Sequence, residues 1–117
     1  MDERVNPIKI RDNDNGITYE LDFNRESVYF MDQHGFAVND KMLENYGSNI
    51  PKLFYYAFRK NHRKMTQSQT DALLQKVGGL TPKMLERLVL LYNQAAMSNN
   101  VQDEEDLEKN SHVTVEL

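Results

Sequence analysis

Cysteine is absent from the 117-residue sequence, which excludes disulfide bonds and metal sites built on thiolates. No apolar run approaches the roughly 20 residues that a membrane-spanning helix requires. The first four residues are Met-Asp-Glu-Arg and no apolar stretch follows them, so we expect no secretory signal. These absences predict a soluble, cytoplasmic protein.

Sequence signatures of catalysis and cofactor binding are also missing. Gly78-Gly79 lacks the Lys and Ser/Thr that follow the glycines of a phosphate-binding loop. The three histidines are scattered, and none stands in a motif with a carboxylate and a nucleophile. We therefore predict no enzyme activity, no catalytic residues and no cofactor. The histidines are His34, His62 and His112.

The segment from Asp12 to Gly16 has some features of a calcium-binding loop. If Gly16 takes the sixth position of such a loop, Arg11 occupies the first position, where a carboxylate is needed. Asn15-Gly16 is also a strong signal for a tight β-hairpin turn. We favour the turn over a metal site.

A hairpin over residues 8–23 accounts for the alternation of apolar and charged residues. A two-residue turn at Asn15-Gly16 places the apolar residues on one face and lets opposite charges pair on the other. The apolar face is Ile8, Ile10, Tyr19, Leu21 and Phe23. The expected pairs are Ile8–Phe23, Lys9–Asp22, Ile10–Leu21, Arg11–Glu20, Asp12–Tyr19 and Asp14–Ile17.

Helical periodicity and capping residues fill the region after the hairpin. The expected helices begin at the caps Asn24, Asn39 or Asp40, Ser48 or Asn49, Thr66 and Thr81, and the last runs to about Ser98. In the third of these, Pro51 would occupy the first turn, where its missing N–H is harmless. The predicted class is α+β, mainly α: an N-terminal hairpin packed on a bundle of four to five helices.

The acidity of the chain is concentrated near its C-terminus. Residues 99–117 hold six acidic residues and one lysine, a charge of −5, whereas the whole chain carries −4. Residues 1–98 are therefore close to neutral. We expect one domain over residues 1–98 and a flexible acidic tail over residues 99–117, because so few large apolar groups would not offset the entropy of ordering it.

Two helices carry more apolar residues than a single stripe requires. Tyr55 and Tyr56 flank the stripe of the Ile50–Phe58 helix, and Met84 and Leu91 lie off the main stripe of the last helix. Such residues can widen a core face, or they can form a surface for a protein partner. We take these four as candidate protein-binding residues.

A basic run over residues 59–64 admits two interpretations. It could contact the phosphates of a nucleic acid, which would make the chain a small DNA-binding or regulatory protein. It could equally be the solvated, dipole-matched end of a helix. The near-neutral body favours the second interpretation.

The order of these elements resembles the tail assembly chaperones of long-tailed, siphovirus-type bacteriophages and prophages of Firmicutes. The resemblance covers roughly residues 8–97. It rests on the hairpin, Asn24-Arg25-Glu26-Ser27-Val28, Gly35-Phe36, the segment from Ile50 to Phe58 with His62, and the two last helices. No catalytic signature contributes to it.

The resemblance implies a non-enzymatic factor of the host cytoplasm. Such chaperones bind the long tape-measure protein before tail-tube subunits assemble around it, and many of them self-associate. The partners implied are therefore the tape-measure protein, the tail-tube protein and further copies of the chain. A structural head–tail component is the remaining alternative.

Overall fold

The structure is a computed structural model that describes residues 4–97 together with His112, Thr114 and Glu116, the side chains of Asp40, Lys41 and Leu43 excepted. A two-stranded antiparallel sheet precedes a short 3₁₀ helix and four α-helices. The elements are β1 (Ile8–Asp12), β2 (Ile17–Leu21), α1 (Arg25–Gln33), the 3₁₀ helix (Asp40–Asn45), α2 (Tyr46–Tyr56), α3 (Gln67–Val77) and α4 (Pro82–Met97). The predicted class, a hairpin on a helical bundle, is confirmed.

The predicted domain boundary after residue 98 and most of the acidic tail lie outside the described residues. Among the residues that are described, no helix combines the length and apolar content needed to cross a bilayer.

The hairpin has the predicted faces but a different register. Ile8 pairs with Leu21, Ile10 with Tyr19 and Asp12 with Ile17, a shift of two residues from the expected pairs. A shift of two keeps every side chain on its face, because strand side chains alternate with period two. The two charge pairs change, so that Lys9 now faces Glu20 and Arg11 faces Thr18.

The reason for the shift is a four-residue loop in place of the two-residue turn. The N–H of Gly16 donates to the carbonyl of Asp12 at 2.8 Å, and Gly16 has a positive φ of 74°. Side chains stabilise the wider loop: Oδ1 of Asp12 accepts from the N–H of Asp14, and Oδ1 of Asn15 accepts from the N–H of Ile17. Asx hydrogen bonds of this kind compete with the tight turn that Asn15-Gly16 favours.

Capping residues set the ends of α1 and α3 as the sequence predicts. Asn24 and Ser27 form a reciprocal capping box at α1, and Thr66 and Gln69 form another at α3. Each box satisfies two main-chain donors that the first turn leaves without partners. Gly78 ends α3 in the left-handed conformation, with φ of 87°.

Helix α2 begins earlier than predicted. Ser48 and Asn49 lie inside it, and the side chain of Asn49 donates to the carbonyl of Met42 at 3.0 Å instead of capping a helix. Pro51 is the sixth helical residue, so the carbonyl of Gly47 has no N–H four residues later to accept from. Gly47 is exposed, which leaves that carbonyl within reach of water.

The core lies between the inner face of the hairpin and the four helices. Every element from β2 to α4 contributes side chains, including Leu73 of α3, and the largest share comes from the end of α2 and the two residues that follow it. The fully or nearly fully buried apolar residues are Leu21, Phe23, Met31, Met42, Leu53, Phe54, Ala57, Phe58, Leu88 and Leu91. Tyr19, at 9% exposure, completes the core beneath the hairpin.

Candidate protein-binding surface

The basic run after α2 is engaged within the fold. Arg59 forms an ion pair with Glu26 at 2.8 Å, and its guanidinium lies 3.6 Å from the centre of the Phe30 ring. Arg63 reaches the same carboxylate at 3.4 Å, and Lys60 pairs with Asp22.

These pairs affect both the titration of Glu26 and the availability of the cations. The hydrogen bond from Arg59 holds the pKa of Glu26 below its usual range, because it stabilises the charged carboxylate. Three of the cations that could have contacted phosphate therefore tie α1 and β2 to the end of α2.

The same connection, residues 57–66, covers the outer edge of β2. The N–H of Glu20 donates to Nε2 of His62 at 3.0 Å, and its carbonyl accepts from the side chain of Asn61 at 3.3 Å. The His62 ring also contacts Tyr19, with ring centroids 5.3 Å apart. His62 thus has a structural contact that its place in a polar run did not reveal.

Of the candidate tyrosines, one lies in the core. Tyr56 is 7% exposed and contacts the rings of Phe36 and Phe30 at centroid distances of 5.2 and 6.0 Å. Burial raises the pKa of Tyr56, with the neighbouring Tyr55 adding to the effect. Tyr55 is half-buried against the same core. These two residues therefore widen a core face.

On α4 residues of both apolar stripes enter the core. Leu91, which we expected at the surface, is fully buried with Leu88, and Met84 is half-buried at the start of the same line. Within the main stripe, Leu88 and Ala95 are buried. Val89 and Tyr92 of the same stripe are half-buried. The ring of Tyr92 meets Phe23 edge-on at 5.9 Å, which fixes the rotation of α4 about its axis.

That rotation places other apolar residues outside. Leu90 is 46% exposed and Met97 is 53% exposed. They lie seven residues apart, and two turns of helix bring them to the same side. We call Leu90 and Met97 the α4 outer strip. Leu90 stands in an unbroken run of apolar residues from Leu88 to Tyr92, so helical periodicity alone could not show which of them faces water.

A groove of about 350 Å³ lies between the hairpin loop and α3. Lys76 crosses it and pairs with Asp12 at 2.9 Å and with Asp14 at 3.0 Å. These bonds lower the pKa of Asp12, chiefly through the Lys76 hydrogen bond, and raise that of Lys76. Two of the carboxylates that resembled calcium ligands are thus paired with a lysine. Ile10, Leu73 and Val77 also line the groove.

A hairpin resting on four helices, with ion pairs joining the layers, defines an α+β domain that is mainly α. The chain belongs to the family described as Domain of unknown function (DUF5055), whose model matches residues 1–117. Neither a curated protein nor a solved structure matches the chain.

Proposed function

We propose that this protein is a tail assembly chaperone of a long-tailed bacteriophage or prophage. In this role it binds the tape-measure protein in the host cytoplasm during tail morphogenesis and catalyses no reaction of its own. The support from sequence is the resemblance described above, from the hairpin through the Ile50–Phe58 segment to α4.

The structural observation that carries the proposal is the α4 outer strip. Leu90 and Met97 are exposed on a helix whose opposite side, through Leu88 and Leu91, fills the core. A helix held rigidly by its buried side presents its outer side chains in fixed positions. Two apolar groups two turns apart match the spacing at which a second helix offers its own apolar residues.

A tape-measure protein is a long helical partner, so helix-to-helix contact is the mode expected. Few apolar residues on a polar surface give a contact of moderate strength. Such a contact suits a chaperone, which must release its partner when tail-tube subunits assemble around it. The proposal also includes the tail-tube protein and further copies of the chain as partners.

The test is co-purification with the tape-measure protein of the same phage. Leu90→Glu with Met97→Glu should abolish co-purification and leave the melting temperature close to that of the natural chain, because both positions are exposed. Val77→Glu is the matched control, since Val77 is exposed but lies on α3. This control should retain the partner.

Three results would contradict the proposal. The natural chain could fail to co-purify with the tape-measure protein. It could bind DNA with an affinity that falls steeply with salt, which is the behaviour of a phosphate-binding protein. It could also remain in purified virions, which would make it a structural head–tail component.

A further inference from the structure

The two outer edges of the hairpin differ in how the rest of the chain meets them. On β2, the main chain of Glu20 bonds to the side chains of His62 and Asn61. The N–H of Asp22 donates to the carbonyl of Ala57 at 3.0 Å. The edge of β2 that faces away from β1 is therefore covered.

The edge of β1 is open. Lys9 lies opposite Glu20, whose main chain points away from β1, so this is a non-hydrogen-bonded pair and the main chain of Lys9 also points outward. Arg11, two residues further on, has the same orientation. Within residues 4–97, neither has a main-chain hydrogen bond outside the hairpin, and both are exposed.

Away from the loop, the apolar face of the sheet is less well covered under β1 than under β2. Next to the loop, Ile17 of β2 is 47% exposed on the same face. Leu21 is fully buried and Tyr19 is 9% exposed, whereas Ile8 and Ile10 are only half-buried. Part of the apolar surface on β1 is therefore left uncovered by the rest of the domain. A strand added beside β1 would shield both isoleucines.

Charge limits which strand can be added. The side chains of Lys9 and Arg11 lie on the face opposite Ile8 and Ile10. A second β1 would bring positive charges beside positive charges, which is a usual protection against edge-to-edge association. An incoming strand with a carboxylate on that face would be attracted instead.

Residues 113–117 have the complementary pattern. The sequence Val113-Thr114-Val115-Glu116-Leu117 alternates apolar and polar residues with the period of a strand. If Glu116 lies beside Lys9 or Arg11, Val115 and Leu117 fall on the same face as Ile8 and Ile10. In the single chain, Thr114 and Glu116 are exposed and belong to no strand.

We propose that residues 113–117 of one copy add as a third strand to β1 of a second copy, and that the exchange is reciprocal. The reach is sufficient, because α4 lies beside the start of the hairpin: the N–H of Val5 donates to Oε1 of Gln94 at 2.8 Å. From α4, residues 98–112 span up to about 50 Å when extended. This dimer gives a specific geometry to the self-association included in the proposed function, and it does not depend on binding to the tape-measure protein.

The test is the mass of the full chain in solution, measured by light scattering. The natural chain should give about twice its monomer mass of 13.7 kDa. Removal of residues 113–117 should give a monomer, and so should Arg11→Glu. Combining Arg11→Glu with Glu116→Lys should restore the dimer, because the charges are exchanged across the same contact. Lys52→Glu, an exposed charge reversal on α2, is the control and should remain dimeric.

Amide hydrogen exchange provides a second readout that does not depend on any substitution. The amides of Lys9 and Arg11 should exchange slowly in the full chain at high concentration, and rapidly after dilution or truncation. Three results would overturn the inference: a full chain that is monomeric at every concentration, a dimer that survives truncation, or protection of these amides that does not change on dilution. The last would mean that the segment pairs with β1 of its own chain.

Discussion

Helices α2 and α4 both carry more apolar residues than one stripe requires, but the fold uses the surplus differently. Helix α2 packs against α3 and the 3₁₀ helix, and the Tyr56 ring at its end contacts Phe30 of α1. Phe54 and Tyr56 are therefore buried on different sides of the same helix. Within residues 4–97, helix α4 has neighbours on one side, and Leu90 and Met97 remain at its surface. Extra apolar residues therefore mark α2 as a central helix, whereas on α4 they form an exposed strip. The number of neighbouring elements determines whether such residues are buried or exposed.

The strongest test of this comparison is Phe54→Ala in α2. Phe54 is fully buried and contacts the Phe58 ring at 5.1 Å, so we expect a loss of about 3–5 kcal/mol in the free energy of unfolding. Denaturant unfolding followed by circular dichroism measures it. Tyr46→Ala, on the exposed first turn of α2, should change stability by less than about 0.5 kcal/mol. Equal effects at both positions would mean that α2 is not the centre of the core.

The neighbours Leu91 and Leu90 test the rotation of α4. Leu91→Ala should destabilise by about 2–5 kcal/mol, because it removes a fully buried side chain. Leu90→Ala should stay within about 0.5 kcal/mol of the natural chain. The same unfolding measurement applies to both variants. The reverse order of effects would place Leu91 at the surface, as its choice as a candidate protein-binding residue assumed.

A smaller effect is expected where α2 is tied to α1. Arg59→Met removes the pair with Glu26 and the contact with Phe30, and should lower stability by about 1 kcal/mol at neutral pH. The pKa of Glu26 is lower in the folded protein than its ordinary value of 4.5. The Arg59–Glu26 pair therefore stabilises the fold fully when the pH is above 4.5. This stabilisation is lost as the pH falls through the lowered pKa of Glu26, because the carboxylate then becomes protonated.

The pH dependence is the measurement that separates this pair from simple packing. The difference between natural chain and variant should shrink when thermal melts are repeated below about pH 4.5. A difference that is the same at pH 7 and at pH 3 would mean that Arg59 acts through its contact with Phe30 alone. Lys64→Met, an exposed cation of the same run, serves as the control.

The smallest expected effect concerns the start of α2. Gly47 is helical, has an ordinary φ, and has open space where a Cβ would stand. Gly47→Ala should therefore stabilise the protein by about 0.5 kcal/mol, seen as a slightly higher melting temperature. Destabilisation would instead support the sequence-based interpretation, in which Ser48 or Asn49 caps this helix and Gly47 lies before it. Gly78→Ala is the comparison variant. It should lower the melting temperature, because Gly78 has a positive φ that alanine adopts only with strain.

The caps and faces could be predicted because they depend on nearby residues. Thr66 with Gln69 and Asn24 with Ser27 act within one turn, and the apolar face of the hairpin follows from alternation alone. The register of the hairpin could not be predicted, since it depended on whether Asp12 and Asn15 bonded to the loop main chain. The start of α2 was predicted too late because the side chain of Asn49 bonds to Met42 in the 3₁₀ helix instead of capping α2. A capping pattern in the sequence cannot show this contact.

Within the candidate surface, the exposed residues were harder to predict than the core. The sequence indicated a surplus on α4 but not its direction, because the contact of Tyr92 with Phe23 is a contact between distant parts of the chain. The engagement of Arg59 and Lys60 depended likewise on carboxylates more than 30 residues earlier. Charge runs read in isolation cannot show such partners.

The bond between Val5 and Gln94 joins residues 89 positions apart, and it has a consequence for synthesis. Strands β1 and β2 can pair as soon as they leave the ribosome, but Phe23 meets Tyr92 only after α4 has been made. Contacts of this sequence separation slow folding, because a large loop must close before they form. Until then the nascent hairpin and α2 expose apolar side chains together, and the native surface is complete only after α4 has packed against them.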